Sequence, residues 1–135
     1  MDSNLTSRYN EDAQYKAISG TLGKDSKIHD IWVQHFEVGM WIGDYDQTGN
    51  MKYTDGLVVE NARIRNNLAD GINFAQGTKN STVKNSNIRG NGDDGLAIWS
   101  SISNGTNAAA EENNKFLNNT IESGWRAAGI GYFWW

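Results

Sequence analysis

The residues of this chain that point most directly to chemistry are three aspartates in two similar segments. The segment ADGINFA contains Asp70, and the segment GDDGLAI contains Asp93 and Asp94. Asp70 and Asp94 each precede a glycine and a short apolar run. Carboxylates that are held close together repel one another, which raises the pKa of at least one of them. Glycoside hydrolysis needs a protonated acid beside an ionised carboxylate, so we interpret the three aspartates as a catalytic triplet. A single Asp-Gly pair is most often a turn, and we interpret Asp55 and Gly56 in that way.

An internal repeat predicts how these aspartates are positioned. Four segments share the order apolar strand, polar Asn/Gly turn and second apolar strand: HDIWVQHFEVGMWIGD, ENARIRNNLADGINFA, KNSNIRGNGDDGLAIW and LNNTIESGWRAAGIGY. Asp70 and Asp94 have the same spacing along the chain as Ile64 and Ile88, whereas Ile121 follows later because SSISNGTNAAAEEN is inserted before it. A repeat of about two dozen residues without a helical half predicts an all-β chain, a right-handed parallel β-helix of the pectin-lyase type with about four coils.

The short strands predict which side chains face the interior. INFA and LAIW alternate, so Asn73 and Ala97 should face outward, and Trp32 should lie in the core. The residues expected to stack inside the coils are Ile72, Phe74, Leu96 and Ile98. The alternative fold is a β-sandwich of hairpins, but its turns usually recur every 8 to 12 residues, which leaves the longer repeat unexplained.

The length of 135 residues predicts one domain. We expect an irregular segment over 1–26 and coils over 27–135. Neither end resembles the polar cap that a solenoid needs, so we expect these coils to belong to a longer catalytic domain or to contact a partner that covers them.

Composition argues against several partners. The net charge is −4, the pI is about 5.0, and the Lys and Arg residues are scattered, which argues against nucleic acid. No apolar run approaches the ~20 residues that span a bilayer, and the polar start of the chain does not resemble an export signal.

Aromatic and polar residues around the triplet suggest a sugar site. Tryptophan outside a core often stacks on sugar rings, because it is a flat apolar body with one hydrogen-bond donor. The predicted substrate-binding residues are Trp41, Asn73, Trp99, Trp125 and Arg126.

Residues 24–133, including ADGIN and GDDGLA, resemble the catalytic β-helix of bacterial α-1,3-glucanases (mutanases), glycoside hydrolase family 87. The resemblance implies hydrolysis of α-1,3-glucan or a related neutral α-glucan with inversion, without a required cofactor, by a large secreted enzyme with further coils and modules. It implies that Asp93 is the general acid, while Asp70 and Asp94 hold the attacking water. An inverting enzyme has acid and base carboxyl groups roughly 6.5 to 9.5 Å apart, so these two should not be the closest pair.

Other functions remain as alternatives. Polygalacturonases share a DDxLA stretch, but they carry Gly-His-Gly on the next coil and a basic cluster, whereas SGWRAAGIGYF has only Arg126. A polysaccharide lyase needs a Lys or Arg base, and again only Arg126 is available. A truncated or non-catalytic β-helix that binds polysaccharide is the principal alternative.

The segment DYDQTGNMKYTD suggests a possible calcium loop. Asp44, Asp46 and Thr48 occupy alternate positions, followed by Gly49, and Asp55 takes the twelfth position. This resembles an EF-hand loop, but the twelfth residue is Asp instead of Glu and no flanking helices are expected. The other interpretation is a polar corner loop over the cleft.

Overall fold

The computed structural model describes residues 1–4, 6, 10, 12, 14–43, 52–100, 110–122 and 124–134. Short β-strands dominate this part of the chain. They are β1 Lys16–Gly20, β2 Lys27–His29, β3 Trp32–Gln34, β4 Val38–Ile42, β5 Val58–Glu60, β6 Arg63–Arg65, β7 Ile72–Ala75, β8 Thr82–Lys84, β9 Asn87–Arg89, β10 Leu96–Ser100, β11 Lys115–Leu117, β12 Thr120–Glu122 and β13 Ile130–Trp134. Within the described residues, no helix has the length and apolar character to cross a bilayer.

The strands form three parallel sheets, to which each full coil contributes one strand. Sheet I has the order β1-β4-β7-β10-β13, sheet II the order β11-β8-β5-β2, and sheet III the order β12-β9-β6-β3. Every strand pairing within these sheets is parallel. The chain is therefore a right-handed parallel β-helix as predicted, and the antiparallel hairpins of a β-sandwich are not found among its described strands.

The N-terminal segment differs from the prediction. Within 1–26, which was expected to be irregular, β1 pairs with β4 in the register Lys16 to Val38 and Ile18 to Met40. Ala17 and Ile18 also pack against the core. The physical reason is that the free edge of β4 offers unpaired N–H and C=O groups, which β1 satisfies while it buries apolar side chains.

The interior is formed by like side chains stacked on successive coils. Ile72 pairs with Leu96, and Phe74 with Ile98; the first three are fully buried, and Ile98 is partly buried. Asn73 and Ala97 alternate with them, but they are only 4% and 1% exposed, because outward-facing positions of sheet I lie beneath other side chains.

The prediction for Trp32 was wrong. Its side chain is 48% exposed, while the next residue, Val33, is fully buried. Because successive side chains of a strand point to opposite faces, placing Val33 inside places Trp32 outside. The guanidinium carbons of Arg63 and Arg65 lie 5.8 and 5.3 Å from the centroid of the Trp32 ring.

Asparagine occupies the corners of the coils. Between sheets II and III, Asn61, Asn85 and Asn118 have φ angles of 53°, 51° and 53°, and Asp30 has 54° at the same corner. Asn and Asp adopt this left-handed conformation more readily than other residues with a side chain. The high asparagine content of the chain therefore reflects its repeated tight corners.

A column of glycines explains the recurring Asp-Gly pair. Gly39, Gly71 and Gly95 stand at equivalent positions where the chain enters sheet I, and Gly129 follows on the next coil. A Cβ atom on Gly71 would overlap the carbonyl oxygen of Gly95 and would lie 2.7 Å from Ile88 Cγ2. Glycine is required here because two coils approach closely. The residue before the glycine, which is Asp in the Asp-Gly pairs, lies at the edge of the outer face of sheet I.

Candidate active site

The repeat places two aspartates in the same position on successive coils. The N–H of Gly39 donates to the carbonyl of Asp70, and the N–H of Gly71 donates to the carbonyl of Asp94. On the same ladder, the N–H of Asp93 donates to the carbonyl of Ala69. One carboxylate oxygen from each aspartate lies within 4.8 Å of the others. The structure thus brings together the three side chains that the sequence singled out.

Asp70 is held from two directions. Its Oδ1 accepts a hydrogen bond from the N–H of Asp94 at 3.1 Å, and its Oδ2 accepts one from Asn73 Nδ2 at 2.7 Å. Its side chain lies deep in the cleft, with 7% of the residue exposed. Burial is the main cause that raises the pKa of Asp70 to about 6; the charges of Asp93 and Asp94 add to it, and the Asn73 hydrogen bond opposes it.

Asp94 is anchored to the next coil. Its Oδ1 accepts a hydrogen bond from the N–H of Ala128 at 2.9 Å, and the residue is 3% exposed. Burial raises the pKa of Asp94, opposed by the Ala128 hydrogen bond, and the charge of Asp93 raises it further. Repulsion was the predicted cause of raised pKa values in the triplet. Removal of the carboxylates from water is the larger cause at both buried positions.

Asp93 differs from the other two because its side chain is exposed. It stands beside Asp94 at the turn that leads into β10, at the mouth of the cleft. The triplet therefore combines two buried carboxylates with one that is accessible to a ligand.

A cleft on the outer face of sheet I surrounds the triplet. It has a volume of about 330 Å³, and the described residues that line it are Trp41, Asp70, Asn73, Asp93, Asp94, Trp99 and Phe133. The rings of Trp41 and Trp99 have centroids 5.7 Å apart at an interplanar angle of 57°. An aromatic wall beside carboxylates suits a ligand with apolar faces and many hydroxyl groups, such as a sugar.

Phe133 was not predicted as a site residue. It pairs with Trp99 in the register of β13 on β10, so it extends the column of outward-facing side chains by one coil. The alternation of Tyr132 and Phe133 along β13 was the available signal, but a short run of aromatics does not show which members face outward.

Two predicted substrate-binding residues lie elsewhere. Trp125 and Arg126 are not among the described residues that line the cleft. The guanidinium carbon of Arg126 lies 4.3 Å from the centroid of the Trp125 ring, and Trp125 is 47% exposed. Trp125 packs near Gly92, where an added Cβ atom would come within 2.7 Å of Trp125 Cζ2. The pair therefore flanks the turn that carries Asp93.

A larger groove of about 610 Å³ lies at the corner between sheets II and III, next to Trp32. Asp30 is the one carboxylate among its described lining residues, which otherwise are mostly amides, hydroxyls and Arg63. The smaller cleft is the better candidate for catalysis, because the three carboxylates meet there and two of them, Asp70 and Asp94, are buried with a raised pKa.

Metal binding was predicted at Asp44, Asp46 and Thr48, which lie outside the described residues, so that site stays a prediction. Within the described part of the chain, the triplet is itself a set of hard oxygen donors with oxygens within 4.8 Å of one another. Divalent cations prefer such oxygen ligands.

Known proteins share this architecture. A family model described as alpha-1,3-glucanase catalytic domain D2 matches residues 3–134. The chain is 60% identical, with a TM-score of 0.89, to a solved structure described as the Agl-KA catalytic domain, where the match covers 98% of this chain and 23% of that one. A second solved structure is the catalytic domain of a family 87 α-1,3-glucanase, an aspartate-to-alanine variant in complex with tetrasaccharides. Its identity to this chain is 24% and the TM-score is 0.57, and the match covers 79% of this chain and 17% of that one. This likeness supports the fold alone. No curated protein matches the chain. The chain thus spans about a quarter of the first solved structure.

Proposed function

The chain belongs to the family described as alpha-1,3-glucanase catalytic domain D2, and from that premise we propose that the protein containing it is a glycoside hydrolase that cleaves α-1,3-glucan at this cleft. The observation that carries the proposal is the convergence of Asp70, Asp93 and Asp94 from two coils, with oxygens within 4.8 Å of one another. Because the substrate of such an enzyme is an extracellular polysaccharide, we propose that the protein acts outside the cell.

The environments of the aspartates support a division of roles. Asp93 is exposed, so it is the carboxyl group that can reach the glycosidic oxygen of a bound glucan, and we assign it as the general acid. The Oδ1 atoms of Asp70 and Asp94 are each occupied by a backbone N–H from the next coil. A carboxylate oxygen can accept two hydrogen bonds. The Oδ2 of Asp70, which already accepts one from Asn73 Nδ2, and the Oδ2 of Asp94 can therefore both accept from the attacking water, which we assign to these two residues.

Proton transfer from the water requires an ionised carboxylate. Since the pKa of Asp70 is about 6, the residue is ionised above that pH and protonated below it. We therefore expect the rate to fall as the pH drops through about 6.

The resemblance to family 87 implies inversion at the anomeric carbon. The oxygens of the triplet lie closer together than the roughly 6.5 to 9.5 Å typical of acid and base in inverting enzymes. The family resemblance, and not this separation, is what supports inversion, and the anomeric form of the first product, observed by NMR, tests it directly.

Substitution of the triplet tests the proposed function. In the intact protein, we expect Asp93→Asn and Asp94→Asn each to reduce sugar release from insoluble α-1,3-glucan by about 10²- to 10⁴-fold, because each removes a proton-transferring group. Asp55→Asn is the matched control, because Asp55 also precedes a glycine but lies outside the cleft.

Unchanged hydrolysis in both triplet variants would contradict the assignment. Binding to glucan without sugar release by the unsubstituted intact protein would favour the alternative, a β-helix that only binds polysaccharide.

A further inference from the structure

Asp70 and Asp94 each accept one backbone hydrogen bond in the same way, but they differ in the surroundings of their second carboxylate oxygen. In both residues, Oδ1 accepts the N–H of the equivalent residue on the next coil. The Oδ2 atom of Asp70 is held by the amide of Asn73, three residues further along the chain. Three residues after Asp94 stands Ala97, which offers no amide. Ala97 therefore cannot hold Asp94 Oδ2 in the way that Asn73 holds Asp70 Oδ2.

The neighbour of Asp94 Oδ2 on the next coil is Gly131. In the register of β10 and β13, Ala97 pairs with Gly131. A Cβ atom added to Gly131 would overlap Asp94 Oδ2 and would lie 2.5 Å from Phe133 Cε2. The Asp94 carboxylate therefore occupies the space that any side chain at position 131 would take.

We propose that Gly131 is a positioning residue, whose missing side chain leaves the space in which Asp94 Oδ2 faces the cleft. The inference rests on the proposed function and deepens it, because Asp94 is one of the two residues assigned to hold the attacking water. Gly131 does not act on the substrate itself; it determines where the Asp94 carboxylate lies.

The fold itself does not require glycine at this position. The atoms that a methyl group would meet are the ends of the Asp94 and Phe133 side chains, which can rotate away. One coil earlier, the same column carries Ala97, which is 1% exposed and fits beneath the cleft. Alanine at position 131 is thus compatible with the coil but not with the present position of the Asp94 carboxylate.

Two glycine-to-alanine variants, one at Gly131 within β13 and one at Gly129 just before it, separate a role in positioning Asp94 from a general effect on the coil. At Gly129, an added Cβ atom would meet only Ile121 Cγ2 at 3.4 Å, an ordinary contact. In the intact protein acting on soluble α-1,3-linked oligosaccharides, we expect Gly131→Ala to lower kcat by about 100-fold, since a 1 Å displacement of a reacting group has effects of this order. We expect its KM and its Tm to stay close to those of Gly129→Ala.

Equal kcat values for the two variants would overturn the inference, and so would a loss in Gly131→Ala that appears only in KM. If Gly131→Ala lowers the Tm, Phe133→Ala in the same chain removes the overlap with the ring and leaves the one with Asp94. The double variant should still have a lower kcat than Phe133→Ala alone, and equal values would overturn the inference. If the unsubstituted protein releases no sugar, the proposed function is contradicted, and the inference, which rests on it, is overturned as well.

Discussion

The interior of the coils and the cleft on sheet I are built from the same repeat, but they use it in opposite ways. Inside, one position carries Ile64, Ile88 and Ile121 on successive coils of sheet III. On the cleft side, one column changes at every coil: Trp41, Asn73, Ala97 and Gly131. Stacked coils at a spacing of about 4.8 Å favour like residues in contact, because each rung then fits the next. A column that changes size and polarity at each step is not explained by stacking, and it marks the surface where the catalytic chemistry is proposed.

The aspartate positions show the same contrast. The column that contains Asp70 and Asp94 carries Lys16 and Val38 on the two coils before them and Ala128 on the coil after them, so the acidic residues occupy only two of its coils. The neighbouring column contains Asp93 on a single coil, with Ala69 on the coil before it. The doubled aspartate of GDDG therefore adds a third carboxylate where two coils already contribute one each.

The largest effect is expected from breaking a repeated column. Gly71→Ala would place a methyl group against the Gly95 carbonyl and within 2.7 Å of Ile88 Cγ2 and 2.8 Å of Asn91 Nδ2. These neighbours are backbone and buried side chains that cannot rotate away, so we expect a loss of more than about 3 kcal/mol in the free energy of unfolding. Urea denaturation of the intact protein measures it. Gly129→Ala, in the same column but with one ordinary contact, is the control, and equal losses in both would contradict the role of close coil contact.

A smaller effect of opposite sign is expected from Asp70, in the column of the two buried aspartates. Because the pKa of Asp70 is raised from 3.8 to about 6 in the folded protein, the folded state binds this proton more tightly than the unfolded chain does. The stabilisation is fully present below pH 3.8 and is lost as the pH rises through about 6, which corresponds to about 3 kcal/mol. Asp70→Asn removes this loss. Rotation of the Asn73 amide lets the new amide donate to Asn73 Oδ1, which has no hydrogen-bond partner among the described residues.

We therefore expect Asp70→Asn to be more stable than the unsubstituted protein at pH 7 and inactive on α-1,3-glucan. The stability difference should vanish at about pH 3, below the unfolded pKa of 3.8, where Asp70 is protonated in both states. Thermal unfolding at the two pH values measures it. A variant that is less stable at pH 7 would show that the charge of Asp70 stabilises the coil, contrary to its burial.

The smallest effect is expected at the aromatic wall of the cleft. Trp99→Ala removes one of the two tryptophans that line it, and we expect binding of α-1,3-linked oligosaccharides to weaken about tenfold, or about 1.4 kcal/mol. Trp32→Ala is the matched control, because Trp32 is an exposed tryptophan on sheet III, outside this cleft. Isothermal titration calorimetry compares the two, and an equal loss in both variants would contradict stacking at the cleft.

The sequence predicted the fold well because the β-helix is specified locally and repeatedly. The repeat that relates Asp70 to Asp94 corresponds to the pairing of adjacent coils, and the alternation in INFA and LAIW predicted which side chains stack in the interior. Strand β1 was missed because it belongs to no repeat of the sequence and forms only where the edge of β4 is available. Trp32 was misplaced because the run IWV does not show which of its members faces inward.

The candidate site was predicted only in part, for a different reason. The shared register of Asp70 and Asp94 could be counted along the chain, and Trp41, Asn73 and Trp99 do line the cleft with them. Trp125 and Arg126 belong to the coil after the one that carries Asp93. They stack on each other beside the turn that contains Asp93 and do not line the cleft. Phe133 enters the cleft because β13 pairs with β10, the sheet I strand of the preceding coil. Membership of a cleft depends on which side chains share one face, and residue type and distance along the chain do not determine that.

By itself, the sequence determined the repeat, the right-handed β-helix and the meeting of the three aspartates, because one coil length sets the register of the next. Only the tertiary structure decided how those aspartates differ. Burial beneath the cleft raises the pKa of Asp70 to about 6, Asn73 holds its second oxygen, and the bare Gly131 leaves space for that of Asp94. These differences arise from neighbours on other coils and from exclusion of water, which the local sequence around each aspartate does not encode.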